Sequence, residues 1–267
     1  MGRKILLIII FIFFCTPSFS NFKEIKKNAK INNPEVIFPI PQKLDRCITK
    51  MYANPATNLV LPISEVKAPK GYGLDNRFNS ALNKFESFKR PCSGGSVEAC
   101  NNVKKIILEW AKADAAKRTG PSDHEGRHWN DTLTINLWVA SPMMAGYSFV
   151  KQVIDVPINE DKIIKDWFQK IVKKNKHLMY NMTYKEGTQA KGVPKRAHNH
   201  ALSSAVSHMQ LGILLNDNKL FKTAFKNFEA AIKYQRKDGS MPIETRRGGR
   251  AMFYQGRAMT ALTVIAI

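Results

Sequence analysis

Two short stretches carry residue types suited to proton transfer on an acidic molecule. Residues 195–204 read KRAHNHALSS, and residues 244–257 read ETRRGGRAMFYQGR. In the first, His198, Asn199 and His200 are consecutive and stand where an apolar helical segment begins. A helix N-terminus presents unpaired N–H groups and the positive end of the macrodipole, so it favours anions. Asn199 is of a type that caps such a terminus. In the second, Gly248-Gly249 discourages helix, and a last helix is expected to begin near Arg250. On it Arg250, Tyr254 and Arg257 share a face by i, i+4, i+7 spacing. Arg247 sits in the turn before. A free tyrosine ionises near ~10 and is idle as a base at neutral pH. Adjacent guanidiniums favour its phenolate, so arginines beside Tyr254 would both bind an acid and help the phenol move a proton. Each stretch also has a plain structural reading. Asn199 would only cap, the histidines would be ordinary surface residues, and Met252, Phe253 and Met259 would pack a helix whose arginines face solvent.

These residues need helices to position them. FNSALNKFESF is amphipathic. VEACNNVKKIILEWAKADAAKR sets Val103, Ile106, Ile107, Trp110 and Ala111 on one stripe. DKIIKDWFQKIVKK does so with Ile163, Ile164, Trp167, Phe168, Ile171 and Val172. KLFKTAFKNFEAAIKY does so with Leu220, Phe221, Ala224, Phe225, Phe228 and Ile232. Residues 134–154 and 200–215 are apolar nearly all round, and Pro142 should break the first of them. Buried helices alternating with amphipathic ones imply two concentric layers. Residues 53–77 hold Pro and Gly without helical period and read as a long loop. No run of alternating strands stands out. The expected fold is all-α, built of seven to nine helices in antiparallel hairpins.

Composition narrows the partner. The 267 residues include 42 Lys+Arg against 21 Asp+Glu, a formal charge of +21. Such an excess suits a polyanion: nucleic acid, an anionic membrane surface or an acidic polysaccharide. A lysine-rich genome gives the same excess without function. MGRK, the apolar run ILLIIIFIFF and CTPSFS form a secretory signal, with cleavage expected after Ser20. That leaves residues 21–45 as an extended lead-in and 46–267 as the folded domain. Export, here to the periplasm, excludes most nucleic acid and leaves carbohydrate as the expected polyanion, with no membrane anchoring after cleavage. No Walker loop, GxGxxG or GxSxG segment is present, so nucleotide and serine-hydrolase chemistry lose their usual signatures. Cys47, Cys92 and Cys100 remain after cleavage, an odd count in a compartment that permits disulfides.

Asn199-His200 at a helix start, followed by Asp238, Gly239, Pro242, Glu244, Arg247, Arg250, Ala251 and Tyr254, resembles the alginate lyases of polysaccharide lyase family 5. His198 stands where that family has the first residue of its Asn-Asn-His signature. KGYGLDNR falls where the family has a lid loop with a Lys-Tyr pair. The resemblance implies an α/α toroid and a lyase acting as a monomer on a polyuronate, with mannuronate-rich alginate the expected substrate. It implies β-elimination: the C5 proton is removed, the 4-O-glycosyl group leaves, and a 4,5-unsaturated uronate remains. Asn199, His200 and Arg247 would neutralise the sugar carboxylate. Tyr254 would carry the proton, with His200 sharing the role of base. Arg250, Tyr72, Lys195 and His198 would bind substrate. No metal or cofactor is needed, because side-chain cations neutralise the acid. By the same resemblance Cys47 pairs with Cys100, leaving Cys92 free; a Cys92–Cys100 bridge is the competing pair. The rivals are a non-catalytic polyuronate-binding or export protein, a lyase for another polyuronate such as polyglucuronate, and a glycoside hydrolase. The last needs two acids about 5–10 Å apart, whereas Glu244 is flanked by arginines and reads as an ion-pair partner.

Overall fold

The computed structural model describes residues 29–40, 62–63, 65–66, 76–118, 139–173 and 193–266. Among them are eight α-helices: α1 Asn76–Ser93, α2 Val97–Lys112, α3 Ser141–Val153, α4 Ile158–Lys173, α5 Asn199–Leu214, α6 Asn218–Tyr234, α7 Pro242–Thr245 and α8 Ala251–Ala266. Two 3₁₀ turns, Lys195–Ala197 and Gly248–Arg250, lead into α5 and α8. Among the described residues there are two strands of two residues each: Glu65–Val66 (β1) pairs in parallel with Lys117–Arg118 (β2). The signal segment and most of the lead-in lie outside the described residues, as do Cys47 and Tyr72.

Helix periodicity explains the elements. In α2 the buried side chains are Val103, Ile106, Ile107, Trp110 and Ala111, joined by Ala99, Cys100 and Leu108. The α4 stripe keeps Ile164, Trp167, Phe168, Ile171 and Val172 inside, while Ile163 is 36% exposed and leaves it. Pro142 does not interrupt α3. It sits in the first turn, where its missing N–H has no partner to lose. Three-residue turns join α1 to α2 and α5 to α6, and each of these pairs packs as a hairpin. Helices α1, α3, α5 and α8 together line a cavity of about 420 Å³, and α4 and α6 show amphipathic faces outside them.

Helix α5 is the hub. It packs on α3, α4, α6 and α8, and nearly every residue from Asn199 to Leu214 is buried. Small residues permit this crowding. At Gly212 a Cβ would lie 2.9 Å from the backbone nitrogen of Phe221, so only glycine lets α6 start so close.

Two further devices tie the layers. Cys92 in the last turn of α1 is bonded to Cys100 in the first turns of α2. This overturns the expected Cys47–Cys100 bridge and the free Cys92. The three-residue turn after Ser93 brings the two Cα atoms to 4.7 Å, well inside bridging range. Residues 31–40 form a strap across the helices. The N–H of Ile37 donates to Ser148 Oγ (2.7 Å), that of Ile40 to Gln152 Oε1 (3.1 Å), and that of Glu35 to the carbonyl of Ile213 (3.0 Å). The Glu35 carboxylate meets Lys151 and Lys165, which also pair with Asp161. Burial raises the Tyr147 pKa, helped by the hydrogen bond its hydroxyl donates to Asp161 at 2.5 Å.

Candidate active site

The two stretches meet where the start of α5 faces the turn between α7 and α8. Asn199 does not cap α5. The cap is His198, whose extended backbone and Nδ1 face the N–H of His200 at 3.1 Å. The helix therefore begins one residue earlier than a capping asparagine would place it, and Asn199 falls inside the first turn. His198 and Asn199 are fully buried.

Glu244 fixes the opposite side. It is fully buried on α7, and its Oε1 accepts the backbone N–H of Asn199 at 2.8 Å. One free donor of the α5 terminus is thus satisfied by a carboxylate, as the macrodipole favours. Its Oε2 lies 3.7 Å from Arg247 Nε, and neither of these buried atoms has a hydrogen bond. Burial pushes the Glu244 carboxyl up to about 7, against the Asn199 N–H and the Arg247 charge that hold it down.

Arg247 joins the two sides. Its guanidinium carbon is 3.8 Å from the centre of the Tyr254 ring, a stacked cation–π contact. Its Nη2 lies 2.9 Å from His198 Nε2. A neutral imidazole has one acceptor nitrogen, so the His200 N–H and the Arg247 guanidinium compete for it. His198 is neutral: burial, then the charges of His200 and Arg247, hold its pKa well below the usual value. His200, edge-on to His198 with ring centres 4.9 Å apart, is pushed down to about 3 by burial and by Arg247 and Arg257.

The structure thus brings His198, Asn199, His200, Arg247 and Tyr254 together. Tyr254 is 9% exposed. Arg250 is exposed and belongs to the 3₁₀ turn, since α8 begins at Ala251. It does not share a helix face with Tyr254 as the spacing suggested. Arg257, one turn beyond Tyr254, lies 4.9 Å from the Phe253 ring. Lys195 is in the 3₁₀ turn before α5, and its side chain lies outside the described residues. Sequence reasoning gave Glu244 an ion pair and missed its hydrogen bond to the α5 terminus. The signal that could have found it is an acid close in sequence to an arginine cluster, with the free N–H groups of a helix start to satisfy. Asn199 has one more property. Neither Oδ1 nor Nδ2 of its fully buried carboxamide has a hydrogen-bond partner, which is costly in a protein interior.

Comparison with known proteins places this geometry. Alginate lyase A1-III from Sphingomonas species A1 superposes with a TM-score of 0.66 at 16% identity, covering 91% of this chain and 72% of that one. A variant of the same enzyme, complexed with a tetrasaccharide, superposes with a TM-score of 0.63 at 15% identity, covering 91% and 71%. The shared fold is the α/α toroid. An alginate lyase of Pseudomonas syringae pv. tomato is 27% identical over 177 residues, which are 64% of this chain and 42% of the relative. One from Cobetia marina is 26% identical over 164 residues, 60% of this chain and 39% of the relative. The matched region thus spans less than half the length of these relatives. The alginate lyase family model matches residues 38–267. Because that match takes in almost all of the described residues, helix hub and arginine–tyrosine turn included, the chain belongs to the alginate lyase family.

Proposed function

We propose that the chain is a polyuronate lyase that cleaves alginate, mannuronate-rich alginate above all, by β-elimination. The observation that carries this reading is the stacking of Arg247 on Tyr254 beside an α5 terminus whose Asn199 carboxamide is buried without a partner. Family membership supports the substrate class.

The C5 proton of a uronate is weakly acidic because the adjacent carboxylate is already negative. Arg247 and the amide of Asn199 would bind that carboxylate and let it accept enolate-like charge. Preorganised donors aimed at developing charge are each worth about 3–4 kcal/mol. His200 is neutral, and a ring so reluctant to take a proton serves as a hydrogen-bonding group better than as a base. Tyr254 is then the proton carrier. With Tyr254 in its phenolate form beside Arg247, the C5–H bond breaks and the proton passes to the phenolate oxygen, the electron pair forms the C4–C5 double bond, and the C4–O bond breaks. The departing oxygen takes up a proton, from Tyr254 or from water. His198 caps α5 and holds Arg247, a positioning role.

Incubation with polymannuronate, polyguluronate and polyglucuronate, read by absorbance of the unsaturated product, tests the reading. Product from polymannuronate first is expected. Binding of the polymers without product would leave the non-catalytic binder, and faster product from polyglucuronate would move the substrate.

A further inference from the structure

The Glu244 carboxylate and the carboxylate of an acidic sugar have the same cation to face. Arg247 supplies the positive charge beside Glu244. From the α5 side stand two neutral imidazoles, His198 with Nε2 at 3.7 Å from Oε1, and His200 beyond it. From α8 stands the Tyr254 ring beneath Arg247. The Glu244–Arg247 contact is loose: Oε2 and Nε are 3.7 Å apart, both buried, and neither has a hydrogen bond. Oε1 is committed to the Asn199 N–H at 2.8 Å, so Oε2 is the atom open to a proton.

We propose that Glu244 takes up a proton from solvent at Oε2 when the acidic sugar binds, so that Arg247 passes from the protein's carboxylate to the sugar's. This rests on the polyuronate reading above. Two carboxylates sharing one buried cation repel, and the repulsion favours protonation of one of them. Glu244 is the one that yields, because burial has already brought it up to about 7, whereas a uronate, with the ring oxygen drawing electrons from its carboxyl group, is intrinsically the stronger acid. The hydrogen bond to Asn199 survives protonation at Oε2, so the α5 terminus keeps its partner while the guanidinium is released. The residue would thus set affinity without touching the sugar.

Calorimetric titration of the Tyr254→Phe protein with a mannuronate tetramer, in buffers of different ionisation enthalpy, reads the proton directly. A fraction of a proton should be taken up per tetramer near pH 7, rising toward one as the pH is raised, since burial already holds part of the Glu244 population protonated before binding. Above that pH the apparent Kd should climb by up to about tenfold per unit, the slope of one linked proton. In the Tyr254→Phe/Glu244→Gln protein the tetramer should bind with no uptake and a flat pH dependence. Tetramer binding without proton uptake in the Tyr254→Phe protein overturns this proposal alone, and so does equal uptake in the double variant. No tetramer binding at any pH overturns the polyuronate reading and this proposal with it. Should the double variant fail to fold, the buffer series on the Tyr254→Phe protein still decides.

Discussion

Replacing Asn199 by alanine separates a residue kept for structure from one kept for chemistry. Its carboxamide is fully buried and both polar atoms lack a partner. Each unsatisfied buried group costs about 1–3 kcal/mol. Removing the side chain relieves both costs and leaves a small void worth about 1–2 kcal/mol. The backbone N–H of Asn199, which binds Glu244, is untouched, and the cap belongs to His198. Asn199→Ala should therefore melt at the wild-type temperature or above it, by about 2–4 °C per kcal/mol gained. Turnover should fall by about 10²–10³-fold, the usual effect of losing one donor to developing charge. Thermal unfolding and initial rates of unsaturated-product formation measure the two quantities on one preparation. A variant that melts several degrees lower, with activity lost only in step with the folded fraction, would refute the reasoning. So would wild-type turnover.

Tyr254→Phe should abolish elimination while oligouronate affinity stays within a few-fold, because only a hydroxyl is lost; measurable turnover removes Tyr254 as proton carrier. Arg247→Ala should cost activity and stability together, since it strips the cation from the Tyr254 face, a contact worth about 0.5–2 kcal/mol, and leaves Glu244 to take up a proton; an unchanged melting temperature would contradict the contacts. Glu244 titrates higher folded, at about 7, than its ordinary 4.5, so the native state holds the extra proton between those values and loses relative stability as pH rises through them. Glu244→Gln should accordingly gain on wild type from pH 4.5 to 8, by on the order of 3 kcal/mol; denaturant melts across that range that stay parallel would deny it. Cys100→Ser opens a bridge of sequence separation 8 and should cost about 2–3 kcal/mol by chain entropy, checked by melts with and without reductant.

Much of this architecture was legible because helices write their period into the chain. The stripes of α2 and α6 and the all-round apolarity of α5 located hub and periphery. Boundaries were less legible. Asn199 is the commoner capping type, yet His198 caps, because an imidazole Nδ1 reaches the next turn and the Asn199 N–H has Glu244. The residues of the site were readable as types, since a tyrosine among arginines is unusual. The stacking of Arg247 on the ring was not, because side-chain direction depends on a 3₁₀ turn that Gly248, at φ 56°, makes possible. The Cys92–Cys100 bridge follows from where α1 ends and α2 begins, and residue spacing without those bounds left two pairs open. The strap was invisible in sequence: its hydrogen bonds to Ser148 and Gln152 cross 111 and 112 residues, and no local pattern encodes them.

That strap has a consequence for the order of folding. Its partners on α3 and α4 are separated from it by 111 to 130 residues, and its contact to Asn218 by 187. Closing loops of that size carries an entropic cost that must be met before the contacts repay it. The hairpins α1–α2 and α5–α6, with their short turns, can form while the strap is still waiting for a surface to lie on. Residues 31–40 are thus among the earliest of the described residues to be made and among the last to find their place. In hydrogen exchange the amides of Ile37 and Ile40 should gain protection after those of α5.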